Sequence, residues 1–229
     1  TERSSTSRST SSELPSAAAL VCCHASSGRN AARCGNWREE ASLPALNTSA
    51  EAETPDAVAE ILATHQVTVF FGVPTLYGML LASDDLPKEG EHNLRICVSA
   101  GEALPGELLR RWQERMGTET LDGLGSTEML HIFLTNHQGD VRPNSSGKAV
   151  PGYKLQIVDD HGLPVPEGEL GHLEVAGPTS AIMYWNQREK SRETFKGKWT
   201  RTGDKYTVDA DGYYTYGGRS DDMMKVGGI

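Results

Sequence analysis

Thr118-Glu-Thr-Leu-Asp122-Gly-Leu-Gly-Ser-Thr-Glu128 decides the fold. Its first four residues read as a short strand. Asp122 to Glu128 reads as a loop of glycines, hydroxyls and acids. A strand that runs into such a loop is what the carboxyl edge of an open parallel sheet presents to a ligand.

The pattern recurs upstream. Val67-Thr-Val-Phe-Phe71 reads as a buried strand ended by Gly72 and Pro74. Leu94-Arg-Ile-Cys-Val98 is a second strand, ended by Ser99-Ala-Gly101, and Cys97 within it is expected to be a buried thiol. Helices alternate with these strands. Thr54-Pro55-Asp56 combines a capping hydroxyl, proline at the first helical position and an acid in the first turn. Pro105 opens another helix, with Leu108, Leu109, Trp112 and Met116 on one face and Gly117 as its stop. Strand and helix in alternation imply an α/β fold with parallel β-α-β units. Three loops, Gly72 to Pro74, Ser99 to Pro105 and Asp122 to Glu128, would then share one edge of the sheet.

Downstream of Gly147 the texture changes. Tyr153 to Val158 and Leu170 to Ala176 read as strands separated by turns at Asp159–Gly162 and Pro166–Gly168. Asp211-Gly212 divides Tyr206–Val208 from Tyr213–Tyr216 as a hairpin. Short strands with frequent turns predict a small antiparallel sheet or barrel attached to the α/β part. The expected organisation is an α/β unit over 54–147, a β-rich unit over 148–221 and a terminal segment over 222–229 whose charges, Met and paired glycines suit a hinge or a frayed end.

Residues 1–53 differ from the rest. Ten of the first sixteen residues are Ser or Thr, and residues 1–50 hold no Lys, Phe or Tyr. Apolar periodicity is missing there, so little buried area is on offer to offset an ordering cost of roughly 1–2 kcal/mol per residue. A disordered or non-native segment is expected; a targeting peptide is the weaker alternative, because Glu2 and Glu13 interrupt it. Cys22, Cys23, His24 and Cys34 have poor spacing for a metal. The net charge of −9 argues against a nucleic-acid surface. The longest apolar run, Ala17 to Cys23, is far short of the roughly 20 residues that span a bilayer.

The chemistry of the loop is specific in type. Gly123 and Gly125 permit close backbone approach to a flat or anionic ligand. Ser126 and Thr127 offer hydroxyls to phosphate oxygens, and Glu128 is a hard oxygen ligand for Mg²⁺. The same residues would also cap an ordinary turn. Asp204, in Trp199-Thr-Arg-Thr-Gly-Asp204, can accept from both hydroxyls of a ribose, or serve as a turn aspartate. Arg219, in Gly218-Arg-Ser-Asp221, can pair with phosphate or ribose oxygens, or lie on the surface.

The order of these motifs resembles the adenylate-forming enzymes, the acyl-CoA synthetase group. The resemblance covers Thr54 to Ile229. It includes Phe71-Gly-Val-Pro-Thr-Leu-Tyr77, Ser99-Ala-Gly-Glu-Ala-Leu-Pro105, Asp122–Glu128, Gly168-Glu-Leu-Gly-His-Leu-Glu-Val-Ala-Gly177, Trp199–Asp204 and Gly212–Asp221. Gly125-Ser-Thr-Glu-Met-Leu-His-Ile-Phe133 is most similar to the benzoate–CoA ligase branch.

The resemblance implies a cytoplasmic enzyme that uses ATP, Mg²⁺ and coenzyme A on an aromatic carboxylic acid. It implies that Thr127 bonds the α-phosphate and that Glu128 holds Mg²⁺. Asp122 would accept from the adenine amino group, while Gly101, Glu102, Ala103 and Gly123 line the base. Asp204 would bind the ribose, assisted by Arg219. His131 and Phe71 would wall the acyl pocket, and Asp221 would be the hinge. Leu124 departs from the family, which usually places an aromatic there.

No Ser/Thr/Gly-rich phosphate loop ending in Lys precedes Thr54, and the lysine of a C-terminal domain is not found before Ile229. Loss of one preorganised charge-stabilising group commonly costs about 10²–10³ in rate. Little or no ligase activity is therefore expected of the chain alone. The alternatives are a non-catalytic fragment that binds AMP at most, a fatty acyl-CoA ligase, or a peptide-synthetase adenylation domain.

Overall fold

A computed structural model describes residues 20–23 and 54–220. Two sheets carry the fold. The first has six strands in the order β1 (Leu20–Cys23), β2 (Val67–Gly72), β3 (Ile96–Ala100), β4 (Thr120–Gly125), β5 (Ile132–Thr135) and β6 (Lys148–Ala149). β2, β3 and β4 are parallel, and β1, β5 and β6 add antiparallel neighbours. The second sheet is antiparallel, in the order β11 (Tyr214–Arg219), β10 (Trp199–Val208), β8 (Gly171–Ala176) and β7 (Lys154–Val158); β9 (Phe195–Lys196) pairs with β10. The helices are α1 (Pro55–Thr64), α2 (Pro74–Ala82), α3 (Gly106–Met116) and α4 (Arg188–Thr194). The expected α/β sheet followed by a small antiparallel sheet is therefore what forms.

Local chemistry explains the helix ends. Thr54 accepts a hydrogen bond from the Ala57 amide at 3.3 Å, and Pro55 occupies the first helical turn. Gly117 ends α3 in the left-handed region, as expected. Proline at the start of α2 opens a helix that the sequence reading took only as the end of a strand. α4 was also not anticipated; none of its residues is buried, so it has no apolar stripe to announce it.

Two expectations need correction. The strand expected over 94–98 runs instead from Ile96 to Ala100, and Ser99 and Ala100 pair with Asp122 and Gly123. Asp122 to Gly125 is likewise strand, not loop. Partners on both sides satisfy its backbone: β3 on one edge, and β5 with the Asn136 amide on the other, where Asn136 N–H donates to Asp122 O at 3.0 Å. In the amino-terminal segment, β1 pairs antiparallel with β2 through Leu20 opposite Phe71 and Val21 opposite Phe70. The short apolar run that holds Leu20 to Cys23 suits a strand edge, although no period was visible around it. The remainder of 1–53, the side chains proposed as metal ligands, Asp221 and 222–229 lie outside the described residues.

The core has two parts. One lies between α1, α2, α3 and the parallel strands, where Phe70, Tyr77 and Trp112 pack as an aromatic triad with Tyr77 and Trp112 edge-to-face at 4.6 Å. Cys97 is buried beside them, and burial pushes its thiol up to about 12. The second part joins the sheets: Leu124, Phe133 and Leu134 of the first, with Met129 from the turn after β4, pack with Ile157, Leu173, Val175 and Tyr206 of the second.

Backbone hydrogen bonds close this junction beside Gly147. Ser146 N–H donates to Tyr214 O, and Tyr214 N–H donates to Gly147 O, both at 2.9 Å. Gly147 has φ +86°, and a Cβ there would overlap the backbone of Thr135 and Asn136. Nearby, Arg142 and Lys148 lie over the Tyr213 ring at 3.7 and 4.2 Å, and the Tyr213 hydroxyl donates to Asp140. Gly147→Ala is expected to lower unfolding free energy by about 3 kcal/mol, because it combines a left-handed φ with a backbone clash. Urea denaturation checks this.

Candidate functional site

The carboxyl ends of β3 and β4 face the second sheet across this junction. Gly101, Glu102 and Ala103, from the turn after β3, line a narrow cavity together with Gly123, Leu124, Ser146, Tyr206 and Tyr216. Its free volume is about 10 Å³, roughly the room for one water. A larger, adjoining cavity of about 280 Å³ shares Ala103, Ser146 and Tyr216 with it, and adds Asp122, Asn144 and Thr215. Glu102 accepts from the Thr75 hydroxyl at 3.3 Å, which ties the post-β3 turn to the start of α2.

Asp122 is the electrostatic centre of this region. It is 5% exposed. Burial pushes its carboxyl up to about 7, while the Leu104 amide, the Ser146 hydroxyl and the Gly123 amide pull the other way. Ser146 Oγ donates to Asp122 Oδ2 at 3.4 Å. Asp122 Oδ1 is buried with no hydrogen-bond partner among the described residues. A buried acceptor without a donor costs about 1–3 kcal/mol, so Asp122 Oδ1, which borders a cavity, is a candidate acceptor for a ligand or water donor.

Asp204 and Arg219 come together from adjacent strands. Arg219 Nη1 donates to Asp204 Oδ1 at 3.2 Å, and the pair is largely buried. A bulge in β10 between Arg201 and Lys205 contains Gly203, whose φ is +81°. That φ favours glycine, and a Cβ there would meet Arg219 Nη2 at 2.8 Å and make the guanidinium shift. The carboxylate shares the neighbourhood of Tyr206 with Asp122, so the two acids flank one phenol.

Thr127 and Glu128 lie in a single 3₁₀ turn, Thr127–Met129, that follows β4. The turn ends at Leu130 with φ +74°, a strained conformation for a leucine. Burial pushes the Glu128 carboxyl up, but the Tyr184 hydroxyl, its own amide, the Ser126 hydroxyl and Lys190 outweigh it. The net position lies below the usual carboxylate range. Tyr184 donates to Glu128 Oε1 at 2.5 Å. Among the described residues no group of three or more His, Cys, Asp or Glu surrounds a metal position, so an ionised, half-buried carboxylate here fits a cation that arrives with phosphate oxygens, as Mg²⁺ on a nucleotide does.

His131 is exposed, with Nδ1 2.7 Å from Ile132 O and its ring edge-to-face with Tyr153 at 6.0 Å. Phe71 sits in β2, two strands from β4, and no hydrogen bond or ring contact joins it to His131 among the described residues. The structure brings Gly101, Glu102, Ala103, Asp122 and Gly123 to the junction, with the Asp204–Arg219 pair beside Tyr206, and does not pair His131 with Phe71 among the described residues. The sequence reading missed Ser146, Tyr184, Tyr206 and Tyr216. Ser145-Ser146-Gly147 carried only a turn signature, and the tyrosines read as strand formers.

The pattern of the AMP-binding enzyme family matches residues 45–185, beginning within the segment set apart on composition. A benzoate–CoA ligase of Thauera aromatica is 59% identical over 181 residues, which span 79% of this chain and 34% of that protein. A 4-hydroxybenzoate–CoA/benzoate–CoA ligase of Rhodopseudomonas palustris is 50% identical over 78% of this chain and 33% of its own length. The crystal structure of a benzoate–CoA ligase from Burkholderia xenovorans superposes with a TM-score of 0.72 at 53% identity, covering 75% of this chain and 35% of that one. The chain spans about a third of the length of these relatives. On the matched pattern, the shared fold and the identity to these ligases, the chain belongs to the AMP-binding enzyme family.

Proposed function

We propose that this chain is the adenylate-handling part of an ATP-dependent acid–CoA ligase that acts on benzoate or a related aromatic acid. The observation that carries the nucleotide part is Asp122 Oδ1, a buried acceptor without a donor beside the cavities at the sheet junction. The 59% identity to a benzoate–CoA ligase supports the acid.

In the proposed reaction a carboxylate oxygen attacks the α-phosphorus of ATP and pyrophosphate leaves, giving acyl-AMP. The thiol of coenzyme A then attacks the acyl carbon, AMP leaves, and the thiol proton is released. Asp122 accepts from the adenine amino group, while Gly101, Glu102, Ala103 and Gly123 line the base. Asp204 accepts from the ribose hydroxyls, and Arg219 holds its carboxylate in place. Thr127 donates its hydroxyl to the α-phosphate. Glu128 holds Mg²⁺, which neutralises phosphate charge when bound. Tyr184 keeps Glu128 ionised and oriented for that role. His131 and Phe71 contact the acyl group, and Asp221 is the hinge.

The narrow cavity must open for a base to enter, because about 10 Å³ holds no purine. The aromatic lining of that cavity comes from Tyr206 and Tyr216, where Leu124 offers only an aliphatic surface.

Calorimetric titration of the chain with AMP tests the reading. Binding is expected, and Asp204→Ala should weaken it at least tenfold by removing a charged acceptor. Binding that Asp204→Ala leaves unchanged would contradict the proposed ribose contact. The sign of the pH effect follows from Asp122. Its carboxyl is pushed up to about 7 in the free protein, and a donor on Oδ1 favours the ionised form. AMP affinity should therefore rise as pH increases through about 7 and level off above it, by at most tenfold per pH unit. Asp122→Asn should flatten that profile.

A further inference from the structure

Ser146 has no part in the reaction proposed above, yet its side chain joins Asp122 to the second sheet. It is 4% exposed and lines both cavities. Its Oγ lies 3.4 Å from Asp122 Oδ2 and 3.1 Å from the Tyr206 hydroxyl. Its backbone is pinned independently of that hydroxyl. The Ser146 amide donates to Tyr214 O, the Asn136 side-chain amide donates to Ser145 O at 2.6 Å, and the Arg142 amide donates to Asn136 Oδ1 at 2.9 Å.

The proton count gives this chain of hydroxyls a direction. Tyr206 is buried, and burial together with the carboxylates of Asp204 and Asp122 keeps its phenol protonated. An ionised Asp122 has only acceptors to offer. Ser146 has a single proton, so it must receive from Tyr206 and give to Asp122. One carboxylate oxygen is thereby committed, and Oδ1 is left as the free acceptor.

We propose that Ser146 is a positioning residue: it relays a hydrogen bond from the Tyr206 phenol to Asp122 Oδ2 and so holds the carboxylate with Oδ1 reserved for a ligand donor. The relay stands on the hydroxyl geometry alone; that the donor is the exocyclic amine of adenine rests on the function proposed above. Because Tyr206 lies in β10 and Asp122 in β4, the relay makes the orientation of the acceptor depend on contact between the two sheets. The titratable groups around it are Asp204 and Tyr206 on β10, Tyr216 on β11 and Glu102 after β3.

The test follows the Asp122 carboxyl by ¹³C NMR titration in the full chain, assigned with Asp122→Asn. Ser146→Ala removes a donor to the ionised form, so the Asp122 midpoint should rise by about one pH unit. Tyr206→Phe should give a smaller rise, and Ser146→Thr, which keeps the hydroxyl, should restore the original midpoint. An unchanged midpoint in Ser146→Ala overturns the relay. If Ser146→Ala fails to fold, Tyr206→Phe decides in the same way.

Titration with AMP and with its 6-oxo analogue IMP tests the donor separately. The preference of the wild-type chain for AMP should fall about tenfold in Ser146→Ala. A wild-type chain that binds both equally would remove the adenine reading, while the Asp122 midpoint would still decide the relay.

Discussion

Two backbone hydrogen bonds between Ser146–Gly147 and Tyr214 hold the sheets together where the candidate site forms. They require a chain path that passes against Thr135 and Asn136 with no side chain at 147. Around them the apolar residues of both sheets pack as one core, and the Arg142–Tyr213–Lys148 stack with its acidic partners covers the outside. Without this closure, Gly101 to Ala103 would face solvent, Asp122 would be hydrated, and Tyr206 and Tyr216 would have nothing to pack against. The site is a property of the junction, since neither sheet holds it alone.

The junction also explains how one short stretch carries acids of opposite character. Asp122 is buried with weak compensation and titrates near neutrality. Glu128, six residues on, receives a tyrosine hydroxyl and a nearby lysine and stays ionised. Burial acts in the same direction on both and each has three hydrogen-bond donors, so the deeper burial of Asp122 and the Lys190 charge beside Glu128 decide the outcome. An acceptor poised near pH 7 responds to a ligand's donor, whereas a permanently charged one suits a cation. The same local sequence thus supplies, on the proposed function, both the acceptor for the base and the carboxylate at the phosphate end.

Much of this was legible in the sequence, for physical reasons that differ by element. α1 and α3 announced themselves through a capping threonine, a proline and a glycine stop, all local effects. The paired strands around Asp211-Gly212 followed from turn chemistry. Asp122, Asp204 and Arg219 stood out as charges placed among glycines. The strand character of Asp122–Gly125 was not legible, because glycines carry no period and only the neighbouring strands impose extension there. The β1 pairing with β2 was hidden for the same reason: four residues show no pattern until a partner edge exists. Ser146, Tyr184 and Tyr206 act over sequence separations of 24 to 60 residues, which no local window contains.

The central claim is that both sheets contact one nucleotide at their junction, and amide chemical-shift mapping of the chain on addition of AMP tests it most directly. The expected result is perturbation clustered at Gly101–Ala103, Asp122–Leu124 and Ser146 on one side, and at Asp204, Tyr206 and Tyr216 on the other. Perturbation confined to one sheet, or scattered over the surface, would contradict it.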